Sequence, residues 1–187
     1  MAGFTFVGRD AEIAAFRRLL ERPQGELLLV AGGEGTGKSH LLRRLRGEAE
    51  RLERHFVHFH SLGHLPDAAS RLYAILGAVA MAHLSGEAKP GEGSQPPRLV
   101  PNPREFFIRL MVEPHLPAPE KFLSLCGAAA AHLPADSCFV LLLDLGRAED
   151  DEAFPVEFLA RRLPDKVKLV VAAREVPAGL RELRGLD

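Results

Sequence analysis

Gly32-Gly33-Glu34-Gly35-Thr36-Gly37-Lys38-Ser39 is a complete G-x-x-x-x-G-K-[ST] pattern. It follows the apolar run Glu26 to Ala31 and precedes a segment, Ser39 to about Arg54, with helical spacing. Strand, glycine-rich loop and helix in that order are the context in which this pattern cradles phosphate. The glycines allow positive φ, so that backbone N–H groups can turn inward around an anion. The loop opens a helix whose first N–H groups and positive dipole end favour negative charge. Lys38 is placed to reach β- and γ-phosphates, and the Ser39 hydroxyl to ligate Mg²⁺. The candidate phosphate-contacting residues are Gly33, Glu34, Gly35, Thr36, Gly37, Lys38, Ser39 and His40. The motif implies a nucleotide-binding domain.

A second segment supports it. Cys138 to Asp144 is an apolar strand ending in a carboxylate, where a phosphate-loop protein holds Mg²⁺ directly or through water. A further strand, Val167 to Ala173, ends at Arg174. Ligands of open parallel sheets sit beyond the carboxyl ends of the strands. The loop, Asp144 and Arg174 all fall at such ends, so three segments are expected to converge on one nucleotide.

The remaining elements are read from periodicity. Phe4 to Asp10 is an extended run ending in an N-cap at Asp10, followed by the helical stripe Ile13, Phe16, Leu19 and Leu20. The helix after the loop carries Leu41, Leu42, Leu45, Ala49 and Leu52 on one face. Its other face interleaves Arg43, Arg44, Arg46, Arg51 and Arg54 with Glu48, Glu50 and Glu53. Acid at helical spacing makes this a solvated face rather than a nucleic-acid patch. His55 to His60 alternates like an edge strand. Its histidines and His64 raise the question of zinc, but no nearby cysteine or carboxylate completes a tetrahedral set. Helices are expected over Pro66 to Leu84, Arg104 to Val112 and Pro119 to Leu133. The stretch 85–103 is rich in Gly, Pro, Ser and Glu and reads as a flexible insertion in a single domain, 1–187.

Totals narrow the setting. The net charge is −1, giving no bulk attraction to nucleic acid or anionic lipid. No run approaches the ~20 apolar residues of a membrane span, and the N-terminus carries no basic or apolar leader pattern. The two cysteines, Cys126 and Cys138, match no metal spacing, and phosphate-loop enzymes work mostly in reducing compartments, so a cytoplasmic protein without a disulfide is expected.

Phe6-Val-Gly-Arg-Asp-Ala-Glu-Ile13 resembles the F-V-G-R-[ED]-x-E-[LI] motif that opens the STAND signalling ATPases, relatives of the AAA+ and origin-recognition ATPases. The order of the later signatures matches too, apart from the 85–103 insertion. The resemblance implies an α/β, three-layer P-loop NTPase fold with a parallel sheet of strand order 1-4-3-2, to which a fifth strand would add beside the first. It places Val7, Gly8 and Arg9 near adenine and ribose, Lys38 on phosphate, Ser39 and Asp144 on Mg²⁺, and Arg174 as sensor of the γ-phosphate. It implies ATP or ADP as ligand; consistently, no N-K-x-D or T-K-x-D guanine-reading motif occurs. It also implies protein partners or further domains in a signalling assembly. Relatives continue into a fifth strand, a helical lid and a winged helix, so residues 1–187 are expected to be part of a larger protein, or the first strand's edge to be covered otherwise.

Two departures bear on catalysis. Relatives carry a second acid after the metal-binding Asp, where this chain has Leu145, and polar residues where it has Ala172 and Ala173. Glu149, Asp150 or Asp151 could substitute only from a loop. The expected function is therefore a nucleotide-dependent switch with weak or no hydrolysis. The alternatives are an active AAA+-like motor or DNA-loading ATPase, which needs the missing acid, and a degenerate scaffold, against which Lys38, Ser39 and Asp144 argue.

Overall fold

A computed structural model describes residues 9–65, 67–84, 103–131, 133–146 and 155–175 of the chain. Phe139–Asp144 (β3) dictates the architecture. Each of its residues is buried, and a strand apolar on both sides needs a helical layer against each. Glu26–Ala31 (β1), Phe56–Ser61 (β2) and Val167–Ala173 (β4) complete a four-stranded sheet in the order β1-β4-β3-β2, every pair parallel. That is the predicted order. The 85–103 insertion lies outside the described residues, except that Pro103 already begins a helix, where its fixed φ suits the first turn.

Parallel neighbours need crossovers, and helices supply them. Asp10–Glu21 (α1) and Lys38–Glu50 (α2) cover one face of the sheet. Ala68–Leu84 (α3), Pro103–Val112 (α4), Ala118–Ala131 (α5) and the short Val156–Ala160 (α6) lie on the other side. Strand alternation divides the core accordingly. Val140, Leu142, Val170 and Ala172 pack with Phe16, Leu41, Leu42 and Leu45. Phe139, Leu141, Leu143, Leu169 and Val171 pack with Leu72, Leu76, Phe122 and Leu125. Each of these valines, leucines and phenylalanines stabilises the fold by roughly 1.5–3 kcal/mol. Cys138 and Cys126 end up buried in different layers, both as thiols, and burial pushes both thiols up. β1 and β2 are the outer strands and are half-buried, whereas β3 and β4 are buried almost throughout.

Some boundaries differ from the predicted ones. Helix α2 ends at Glu50 rather than near Arg54. The amides of Leu52 and Glu53 bond three residues back, to Ala49 and Glu50, and Glu53 turns left-handed at φ 50. This tightening swings Leu52 out to 45% exposure, away from the apolar face expected for it. Arg9, not Asp10, is the N-cap of α1. The arginine face of α2 is laced with acid as expected: Arg46 pairs with Glu50 at 2.6 Å, while Arg17 and Arg51 flank Glu48 at 2.5 and 3.2 Å. Among the described residues no helix is long and apolar enough to cross a membrane.

Candidate nucleotide-binding site

The phosphate-loop region begins where β1 ends. Gly32 N–H still bonds the Ala173 carbonyl at 3.2 Å, one step past the strand, and then the chain leaves the sheet. Gly35 and Gly37 sit at φ 74 and 78, a region costly to any residue with a Cβ. The Thr36 hydroxyl donates to the Gly33 carbonyl at 2.8 Å and closes the turn. Lys38 Nζ donates to the carbonyls of Gly32 (2.5 Å) and Gly33 (2.7 Å). The Thr36 hydroxyl lies 3.5 Å from the same Nζ, so all three N–H donors of the ammonium are directed at the loop, which fixes Lys38 over its own mouth. Gly37 caps α2 without any side chain, leaving the first N–H groups of the helix for another acceptor.

Asp144 closes β3 at the neighbouring strand end and is 7% exposed. Its Oδ1 accepts the Gly146 N–H at 3.1 Å, and its carbonyl accepts the Leu62 N–H at 2.7 Å. Gly146 is at φ 62, and a Cβ there would stand 2.7 Å from the Gly63 Cα, so only glycine fits. This back-to-back glycine contact fixes the loop that leaves Asp144 against the loop that leaves β2.

The strand ends meet. A cavity of about 320 Å³ is lined by Glu34, Gly35, Thr36, Gly37, Lys38, Ser39, His40, Asp144, Gly146 and Arg174. Gly33 contributes its carbonyl to Thr36 and Lys38 instead of lining the cavity. Arg9 reaches the loop from outside, its guanidinium donating to the Thr36 carbonyl and to Glu12, each at 2.7 Å. Val7, Gly8, Glu149, Asp150 and Asp151 lie outside the described residues. Gly146 was not among the predicted site residues, although a glycine two positions after a strand-ending Asp is a readable sign of a sharp exit.

Leu145 is 7% exposed and packs into the cluster under α3, α5 and α6. Its side chain belongs to the core. Ala172 is fully buried on the opposite face.

The histidines are not gathered at one point. His55 Nδ1 accepts the Cys138 N–H at 3.1 Å, which requires a neutral ring with its proton on Nε2. The Arg54 Nε that stands 3.4 Å from this Nε2 therefore finds no acceptor there. Burial, then the neighbouring Arg54 charge, pushes His55 down to about 4. His58 and His60 stack with ring centroids 6.1 Å apart, and burial lowers His60 as well. No group of three or more metal-binding side chains forms among the described residues.

A family model described as an AAA ATPase domain matches residues 5–172. The chain belongs to this family. No curated protein matches the sequence. Membership of the AAA ATPase domain family implies nucleotide binding, and the match runs from the segment before α1 into β4, taking in the glycine-rich loop and Asp144 and stopping two residues short of Arg174. In this AAA ATPase domain the cavity stands at the carboxyl edge of the sheet, where ligands of parallel α/β proteins bind.

Proposed function

We propose that the chain is an adenine-nucleotide-binding regulatory module, similar to the STAND class, in which ATP or ADP with Mg²⁺ sets the state of a larger signalling protein. The observation that carries the reading is the convergence of the phosphate loop, Asp144 and Arg174 on one cavity. In this reading the amides of Gly35 to Ser39 and the Lys38 ammonium bind the phosphates, with Glu34 and His40 at the rim. Arg174 meets the γ-phosphate, and Val7, Gly8 and Arg9 lie toward the adenine and ribose side. Ser39 and Asp144 are hard oxygen donors on one cavity, the chemistry Mg²⁺ takes. The ion would neutralise charge between the phosphates.

Weak hydrolysis is supported by the residues at the positions where the resemblance predicts polar groups. Attack on the γ-phosphate needs a group that orients water and takes up its proton. Leu145 turns to the core, and Ala172 and Ala173 offer no polar side-chain atom. Arg174 cannot serve as base, because guanidinium stays protonated. The half-buried β1, paired on one side only among the described residues, supports a module that docks against further protein.

Titration of a fluorescent adenine nucleotide against wild type and Lys38→Ala tests the reading. Charge-assisted contacts of roughly 1.5–3 kcal/mol predict a loss of about 10–100-fold; equal affinity refutes it. Single-turnover hydrolysis near 1 s⁻¹, in the ordinary enzyme range, would replace the switch with an active motor or DNA-loading ATPase.

A further inference from the structure

We infer that Arg9 is a positioning residue for phosphate recognition: by holding the Thr36 carbonyl, it aims the Gly37 N–H into the mouth of the loop. The inference rests on the nucleotide-binding reading of that loop and names what keeps the loop competent.

The argument starts from the peptide plane. The Thr36–Gly37 bond is trans, as are all described peptide bonds. Carbonyl and N–H of one trans peptide point in opposite directions. With the Thr36 oxygen held at 2.7 Å by Arg9 on the outside of the loop, the Gly37 N–H faces away from Arg9. Gly37 itself lines the cavity. An outward turn of this peptide would present a carbonyl to the phosphate and repel it.

This peptide is also the one most in need of a hold. A flip of the Thr36–Gly37 peptide changes ψ of Thr36 and φ of Gly37, and the glycine, free of a Cβ, makes the second change inexpensive. The hold comes from a rigid mount. Arg9 caps α1, the Ile13 amide bonds its carbonyl at 3.1 Å, and α1 is anchored by Phe16, Leu19 and Leu20. Its guanidinium is bonded on both arms, one to Thr36 and the other to Glu12 at 2.7 Å, so the planar fork cannot swing. Arg9 does this from a backbone at φ 95, which is unfavourable for any residue but glycine. Strain of this kind persists where the surroundings over-determine it, and here the two bonds of the guanidinium supply that constraint.

A contact between Arg9 and the adenine would act on the base. The loop role acts on phosphate whatever is attached to it, and that difference decides the test. Arg9→Gly removes the guanidinium and accepts φ 95, so the fold is retained and the melting temperature is equal or higher. Calorimetric titration with Mg²⁺ present compares ATP with inorganic tripolyphosphate. Both ligands should lose affinity for Arg9→Gly by the same factor, about tenfold. Arg9→Lys, which keeps one charged donor, should recover part of it. Arg9→Asn, tolerant of left-handed backbone, should repeat the Arg9→Gly result and guards against a folding effect peculiar to glycine. Loss of ATP affinity with tripolyphosphate binding unchanged would overturn the inference in favour of base contact. Unchanged affinity for both would overturn it outright while leaving the nucleotide reading intact. A wild-type protein that binds neither ligand would remove both.

Discussion

Replacing Leu145 by glutamate puts the missing acid back in sequence, and the structure predicts that it will damage the core instead of restoring catalysis. The side chain at 145 is 7% exposed among apolar neighbours of α3, α5 and α6. Leu145→Glu forfeits the leucine's burial, roughly 1.5–3 kcal/mol, and asks an unpaired carboxyl to leave water, a further ~1–3 kcal/mol even when protonated. The total, about 2.5–6 kcal/mol, is a large share of the 5–15 kcal/mol that holds a typical domain. At 2–4 °C per kcal/mol for chains of this size, the melting temperature should fall by roughly 5–24 °C. Burial raises the folded-state pKa of the new carboxyl above its unfolded value, so the penalty grows as pH rises through the folded pKa and shrinks toward pH 5. Thermal denaturation of wild type and Leu145→Glu at pH 5 and pH 8 reads the effect, and single-turnover hydrolysis is measured alongside. A variant melting within about 2 °C of wild type and hydrolysing ATP about 100-fold faster would refute the placement of this side chain, because a gain of that size is what a positioned base supplies.

Two further outcomes follow from single contacts. His55 is held at about 4 against an ordinary 6.5, so the unfolded chain takes up its proton first and stability is lost as pH falls from 6.5 toward 4. Urea unfolding at pH 7 and 4.5 should show roughly 2–3 kcal/mol of loss in wild type that His55→Asn, which keeps an acceptor for the Cys138 amide, does not share; parallel curves would contradict it. The glycines divide by surroundings. A Cβ on Gly25 would strike the Leu163 and Pro164 carbonyls, so Gly25→Ala should lose about 1–3 kcal/mol. Gly47 and Gly77, within α2 and α3 with open space at the Cβ position, should each gain about 0.5–1 kcal/mol as alanine.

The sheet and the cavity were legible in the sequence because their signals are local. β1 and β4 were bounded to the residue, since each is an apolar run stopped by Gly32 or Arg174. The strand order came from resemblance, and the pairing bears it out. What was not legible depends on contacts between distant segments. The five-residue α6 is too short for periodicity to register. The bond of Arg9 to Thr36 spans 27 positions and has no pattern. The end of α2 was set by a left-handed Glu53, which no repeat of leucines foretells.

Leu145 is the instructive case, because the missing information was present in the strand itself. Val140 and Leu142 face α1 and α2, and alternation puts Asp144 on that same side, toward the phosphate loop. The next residue must then face α3 and α5, where Leu141 and Leu143 already point. An apolar residue at 145 continues the core by one position. The chain has extended its packing to the position where the resemblance predicts an acid, and on this backbone a carboxyl at 145 would meet that core and not the cavity. The same step fixes Asp144 on the cavity side of the strand end and Leu145 on the core side.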